Sequence, residues 1–120
     1  MATFVKTLLS GSTNGRGIEV TASATPGTTI HATGTASATI DEVWLYAYNN
    51  DSTARLVTLE FGGTTSPDDL ISVTIPAQSG LVLVTPGLTL TGTGASATTV
   101  SAFAAAASVV TIHGYVNRIA

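Results

Sequence analysis

Two histidines, His31 and His113, are the only side chains in this sequence able to act as imidazole bases or as nitrogen ligands for a metal. Each follows an isoleucine in a β-type run, so the expected role of each is a hydrogen bond to a structural neighbour. Asp41 or Glu42 would be needed to extend the pair to a metal site, and the spacing follows no metal-ligand pattern. Nucleophilic catalysis needs a Ser, Thr or Cys beside a positioned base, and the sequence holds no Gly-x-Ser-x-Gly elbow. Carboxylates are paired at Asp41-Glu42 and Asp68-Asp69. Neighbours on a strand point to opposite faces, so neither pair is a ready acid/base couple. In Ser-Pro-Asp-Asp-Leu the Asp after Pro suits a turn, accepting backbone N–H groups, with a calcium site as the alternative. The stretch GSTNGRG lacks the Gly-Lys-Ser/Thr ending of a phosphate loop and reads as a turn with Arg16 near its tip. No catalytic residue, metal ligand or cofactor is assigned, and no enzyme is expected.

Trp44, Tyr46 and Tyr48 are the remaining group with chemical potential. Spaced two residues apart, they share one face of any regular strand. Three uses stay open for such a row. It can fill a core, with the Tyr48 hydroxyl wetted at the rim. It can anchor a protein interface, where Trp, Tyr and Arg dominate the binding energy. It can stack against sugar rings. Arg55 and Arg118 join the row as candidate interface residues.

Composition narrows the class. Charged residues make up 9% of the chain, against about 25% in ordinary soluble domains. Two readings follow: a β-domain kept soluble by Thr and Ser hydroxyls, or a subunit whose surface is covered by neighbours. Lys6, Arg16, Arg55 and Arg118 are scattered, and the net charge is −3, which argues against nucleic acid as a partner. There is no cysteine, so disulfides and thiolate metal sites are excluded. The opening MATFVKTLLSGS lacks the long apolar stretch of a signal peptide. The apolar runs near residues 79–90 and 100–116 are interrupted by Pro86 or diluted by Ser and Ala, so neither reads as a membrane span. The chain is expected to be used without passing the secretory machinery.

The elements that must position these residues are short strands rich in Thr, Val, Ile and aromatics. They are expected at 4–9, 18–24, 28–33, 42–48, 54–61, 70–75, 80–84, 88–91, 98–104 and 109–117. Asn14-Gly15 and Pro26-Gly27 supply tight turns, and 49–52 reads as a hairpin loop. Pro76 and Pro86 are expected at strand boundaries. Val57, Leu59 and Phe61 alternate with polar residues, as do Ile71, Val73 and Ile75, the signature of strands with one buried face. Two runs, 43–48 and 109–116, are apolar on both sides and call for cover beyond the opposite sheet. The Ala-rich stretch 102–107 reads as the bend of a final hairpin. Together these give one domain over 1–120: all-β, an antiparallel β-sandwich, with the jelly roll as a candidate topology.

From residue 40 to 119 the phrases DEVWLYAYNN, EFGGTTSPDDL, TIPAQSGLVLVTPG and VVTIHGYVNRI resemble small virion proteins of tailed bacteriophages, the capsid decoration or cement proteins. GRGIEVTA and TPGTTIHA carry the likeness into the N-terminal third. The resemblance implies a subunit, a homotrimer, that binds the major capsid protein on the outside of the head and braces it. It implies assembly in the host cytoplasm and residence on the virion, with neither nucleic acid nor membrane as partner. No individual binding residue transfers from it. Sparse edge protection agrees: free β-edges are usually defended by Lys, Pro or bulges, and this chain has one lysine. A carbohydrate-binding or adhesive module using the aromatic row is the alternative.

Overall fold

A computed structural model describes residues 2–120. It is all-β, with two antiparallel sheets packed face to face. Sheet A contains β1 (Phe4–Leu8), β2 (Ile18–Glu19), β4 (Ile40–Asn49), β7 (Val82–Thr91) and β9 (Val110–Ile119). Its order is β1-β9-β4-β7, with β2 sharing the outer edge of β9 beside β1. Sheet B contains β3 (Thr28–Ala32), β5 (Arg55–Phe61), β6 (Leu70–Ile75) and β8 (Thr99–Ala104), in the order β3-β8-β5-β6. The pairings nest inside one another: β5 with β6, β4 with β7, β3 with β8, and β1 and β2 with β9. Only β5–β6 joins strands that follow one another in the chain.

The alternation of residue types decides which face each strand buries. Val43, Leu45 and Ala47 of β4, with Ile112 and Val116 of β9, face inward and are fully buried. They meet Val57, Leu59, Ile75, Val100 and Ala102 from sheet B, equally buried. Burying a Val, Leu or Ile side chain is worth roughly 1.5–3 kcal/mol, so this interior layer dominates stability. Gly114 sits in the middle of β9 at φ +152°, where a Cβ would run into the Trp44 carbonyl oxygen of β4. Glycine is required there.

Several expectations change. The run 18–24 keeps only two residues as strand, because the chain is changing sheets. Val20 N–H still donates to Val110 O in sheet A, whereas Ala22 O accepts from Ala104 N in sheet B. The expected strands 80–84 and 88–91 merge into β7, and Pro86 lies inside it. An edge strand tolerates a missing N–H, and two register shifts against β4 accommodate it. The loops at 49–52 and 105–108 are not hairpin turns, since β4 and β5, like β8 and β9, belong to different sheets. They are arches across the sandwich. Asn49 pins the first, donating from Nδ2 to Thr53 O and Ile75 O while its Oδ1 accepts the Asp51 N–H.

Candidate functional site

The strict alternation of β4 sends Val43, Leu45 and Ala47 inward and Glu42, Trp44, Tyr46 and Tyr48 outward. The aromatic row therefore lies on the outer face of sheet A, half-buried by neighbouring strands, and is no part of the core. Register places Tyr115 of β9 beside Trp44, His113 beside Tyr46 and Thr111 beside Tyr48. Across the other edge of β9, Leu8 sits opposite Tyr115, Lys6 opposite Asn117 and Phe4 opposite Ile119.

Trp44 is held by all its surroundings. Its Nε1–H donates to Glu42 Oε1 at 2.7 Å, and the same oxygen accepts from Asn117 Nδ2 at 3.0 Å. The indole stacks with Tyr115, centroids 6.3 Å apart and planes within 14°. Toward β7 it lies against Gly87, where a Cβ would stand 2.9 Å from the six-membered ring. Lys6 Nζ lies 4.6 Å from the centroid of Tyr115, a cation–π contact. A cross-strand series of cation, phenol, indole and glycine thus spans β1, β9, β4 and β7. The two bonds from Trp44 and Asn117 hold the half-buried Glu42 carboxyl below the usual carboxylate range. His113 packs over Gly17 and bonds Thr111 Oγ1 at 3.1 Å.

Phe4, Leu8, Ile40 and Leu83 share this face by register and are all exposed, Phe4 to 70%. Among the described residues eight large hydrophobics are exposed: these four on the outer face of sheet A, Val5 and Leu88 on its inner side at the edges, Leu81 beside β7, and Leu56 on sheet B. Ten residues of strand across three inter-strand spacings give a face of roughly 34 by 14 Å. On it the aromatic and apolar residues are interspersed with Lys6, Glu42, His113 and Asn117, the mix of aromatic anchors and polar groups found at protein interfaces.

The candidate arginines are placed elsewhere. Arg118 points to the other side of β9 and grips buried Asp41, Nε to Oδ1 at 2.8 Å and an Nη to Oδ2 at 2.9 Å. Arg55 pairs with Asp51 in the β4–β5 arch. Asp41 Oδ2 also bonds His31 Nε2 at 2.8 Å. Ser10 N–H donates to His31 Nδ1 at 3.0 Å, so the ring hydrogen resides on Nε2 and is donated to Asp41. Ser10 Oγ instead accepts from Ala32 N–H. The three side-chain types of a hydrolase triad are therefore adjacent, but the hydroxyl does not face the imidazole. Burial drives the Asp41 carboxyl up; the bonds from Arg118 and His31 outweigh it and hold Asp41 below the ordinary range. The two histidines lie on opposite sides of sheet A, His31 between the sheets and His113 outside, and do not converge on one ligand.

A second buried carboxylate, Glu60 of β5, faces the outer side of sheet B beneath the β2–β3 loop. It accepts from Thr25 Oγ1, Gly27 N–H and Ser101 Oγ. Burial again pushes it up and the three bonds pull it below the usual range. The turn acid is Asp69, which accepts the Thr65 N–H, and not the Asp68 that follows Pro67. Among the described residues there is no cavity that would enclose a small molecule and no cluster of three potential metal ligands; no helix is long and apolar enough to cross a membrane.

Sequence reasoning located the row on β4 but missed Tyr115, Glu42, Asn117 and Gly87, which fix Trp44 at its end. The two-sided apolar pattern of 109–116 was the available signal for Tyr115. No family model, curated protein or solved structure matches the chain.

Proposed function

We propose that this chain is a structural assembly protein that docks on another protein through the outer face of sheet A. The concentration of exposed apolar and aromatic residues on that one face carries the reading. Interfaces are built around aromatic anchors held in place beforehand, and Trp44 is so held. A sugar-stacking site would need a bare aromatic face, whereas the indole here lies between Tyr115 and Gly87, which favours a protein occupant.

The occupant proposed is the major capsid protein of a tailed bacteriophage, with this chain a decoration or cement subunit on the virion surface. That part rests on the resemblance of residues 40–119. The nested strand pairings support a jelly-roll reading of the sandwich, an architecture used by viral capsid and lectin domains; fold-level analogy of this kind supports a role only by association. Bracing would come from contact area, with no chemical step. The test is co-sedimentation with shells of the cognate capsid protein: wild type binds, and Trp44→Ala and Leu8→Ser lose binding while keeping the fold. Equal binding by those variants, or none by wild type, rejects the docking face.

A further inference from the structure

We infer that two copies of this chain pair through the free edge of β6, antiparallel, extending sheet B across a two-fold axis in place of the three-fold association that the resemblance implies. The four sheet edges are defended unequally. β7 contains Pro86 and two register shifts, β3 has an irregularity between Thr29 and His31, and β1 carries Lys6. β6, with sequence LISVTI, has no charge, no proline and an unbroken register against β5. Undefended edges are templates for another strand.

The free hydrogen-bonding groups can be assigned. Phe61 N–H donates to Asp69 O, and hydrogen-bonded pairs alternate along an antiparallel ladder. With Leu59 opposite Ile71 and Val57 opposite Val73, residues 71, 73 and 75 bond to β5. Leu70, Ser72 and Thr74 turn their N–H and C=O outward. Leu70 N–H is taken by Pro67 O, which leaves Ser72 and Thr74 with both groups open. Ser72 opposite Thr74 of the second copy, in both directions, satisfies all of these.

Two features select a second copy in this orientation. The half-buried Ile71 and Val73 lie at the margin of the core; pairing sets Val73 beside its equivalent and Ile71 beside Ile75, closing that margin with matching apolar groups. Parallel pairing would stack Asp68 and Asp69 on their equivalents, whereas the antiparallel arrangement puts these acids at opposite ends. The contact is independent of the docking face, which belongs to the other sheet.

Sedimentation velocity tests it. Wild type is expected to dimerise; Thr74→Pro, which removes an outward N–H only, and Ser72→Lys are expected to be monomers with unchanged circular dichroism. Thr29→Lys, on the opposite edge of the same sheet, should leave the dimer intact. The chain lacks cysteine, so register can be read directly: a mixture of S72C and T74C should oxidise to a cross-linked heterodimer, and T74C alone should not. A wild-type monomer, an oligomer unaffected by either β6 variant, or equal cross-linking of T74C alone overturns the inference. Retained shell binding by the monomeric variants would separate its success from that of the docking face.

Discussion

The outer faces of the two sheets differ in balance, one richer in aromatic rings and the other in hydroxyls. Sheet A presents the aromatics Trp44, Tyr46, Tyr48, Tyr115 and Phe4 with Leu8, around Lys6, Glu42 and Asn117, while sheet B presents mainly hydroxyls, Thr29, Ser72, Thr74 and Thr99, with Leu56, Leu70 and Phe103 among them and its one carboxylate, Glu60, roofed over by a loop. Both inner faces are largely aliphatic, interrupted by the Asp41, His31 and Arg118 cluster and by Thr85. The hydroxyl face meets water at little cost, since each group finds a partner in solvent or beside it, as Ser72 does with Thr58. The aromatic face gains from being covered. The low charge content that suggested both a hydroxyl-coated domain and a covered subunit therefore has two sources, one on each side of the molecule.

The difference can be broken at its centre. Gly114→Ala forces a Cβ against the Trp44 carbonyl from a φ that L-residues avoid, and should cost on the order of 4 kcal/mol, read by denaturant unfolding. Asp41→Asn severs the internal anchor behind the same face. Removing one partner of a buried pair costs 3–5 kcal/mol, and because Arg118 is a third exposed a loss of about 2–3 kcal/mol is expected. Trp44→Ala should weaken docking by about 2 kcal/mol or more, measurable by titration against shells, whereas Thr99→Ala on sheet B should leave it unchanged.

Glu60→Gln sharpens the contrast from the other side, with a stability loss of about 1–2 kcal/mol at neutral pH. Asp41 and Glu60 both have folded-state pKa values below their unfolded ones, so the unfolded chain binds more protons as pH falls. Their contribution is complete above the ordinary carboxylate range, about pH 4, and is lost as pH drops through the depressed folded values. Melting temperature against pH should therefore slope less steeply in acid for Glu60→Gln than for wild type. The smallest effect is a gain. Thr85 Oγ1 is the single buried side-chain polar atom among the described residues without a hydrogen-bond partner, and Thr85→Val should stabilise by about 1 kcal/mol.

Local pattern made the strands legible wherever one face is polar: β5 and β6 appear within a residue of their expected ends because period-two alternation survives in them. It also placed Trp44, Tyr46 and Tyr48 together. What it could not convey was which strands share a sheet. Asn49 to Ser52 has good turn chemistry, but the same residues serve an arch as well as a hairpin, and only the opposite sheet decides. Arg118 and Asp41 are 77 residues apart, so a cation that looks available in the sequence is spent inside the sandwich.

The nested pairing has a consequence for how the chain acquires its shape. β5–β6 is the one ladder between sequence neighbours; every other ladder closes a longer loop around it, ending with Phe4 against Ile119. Loop-closure entropy favours the shortest loop first, and topologies dominated by distant contacts fold slowly. Residues 55–75 would thus be ordered early, while the aromatic sheet waits for the last strand to be synthesised. During that interval the nascent molecule offers a finished, uncharged border to its siblings before it has anything to dock with.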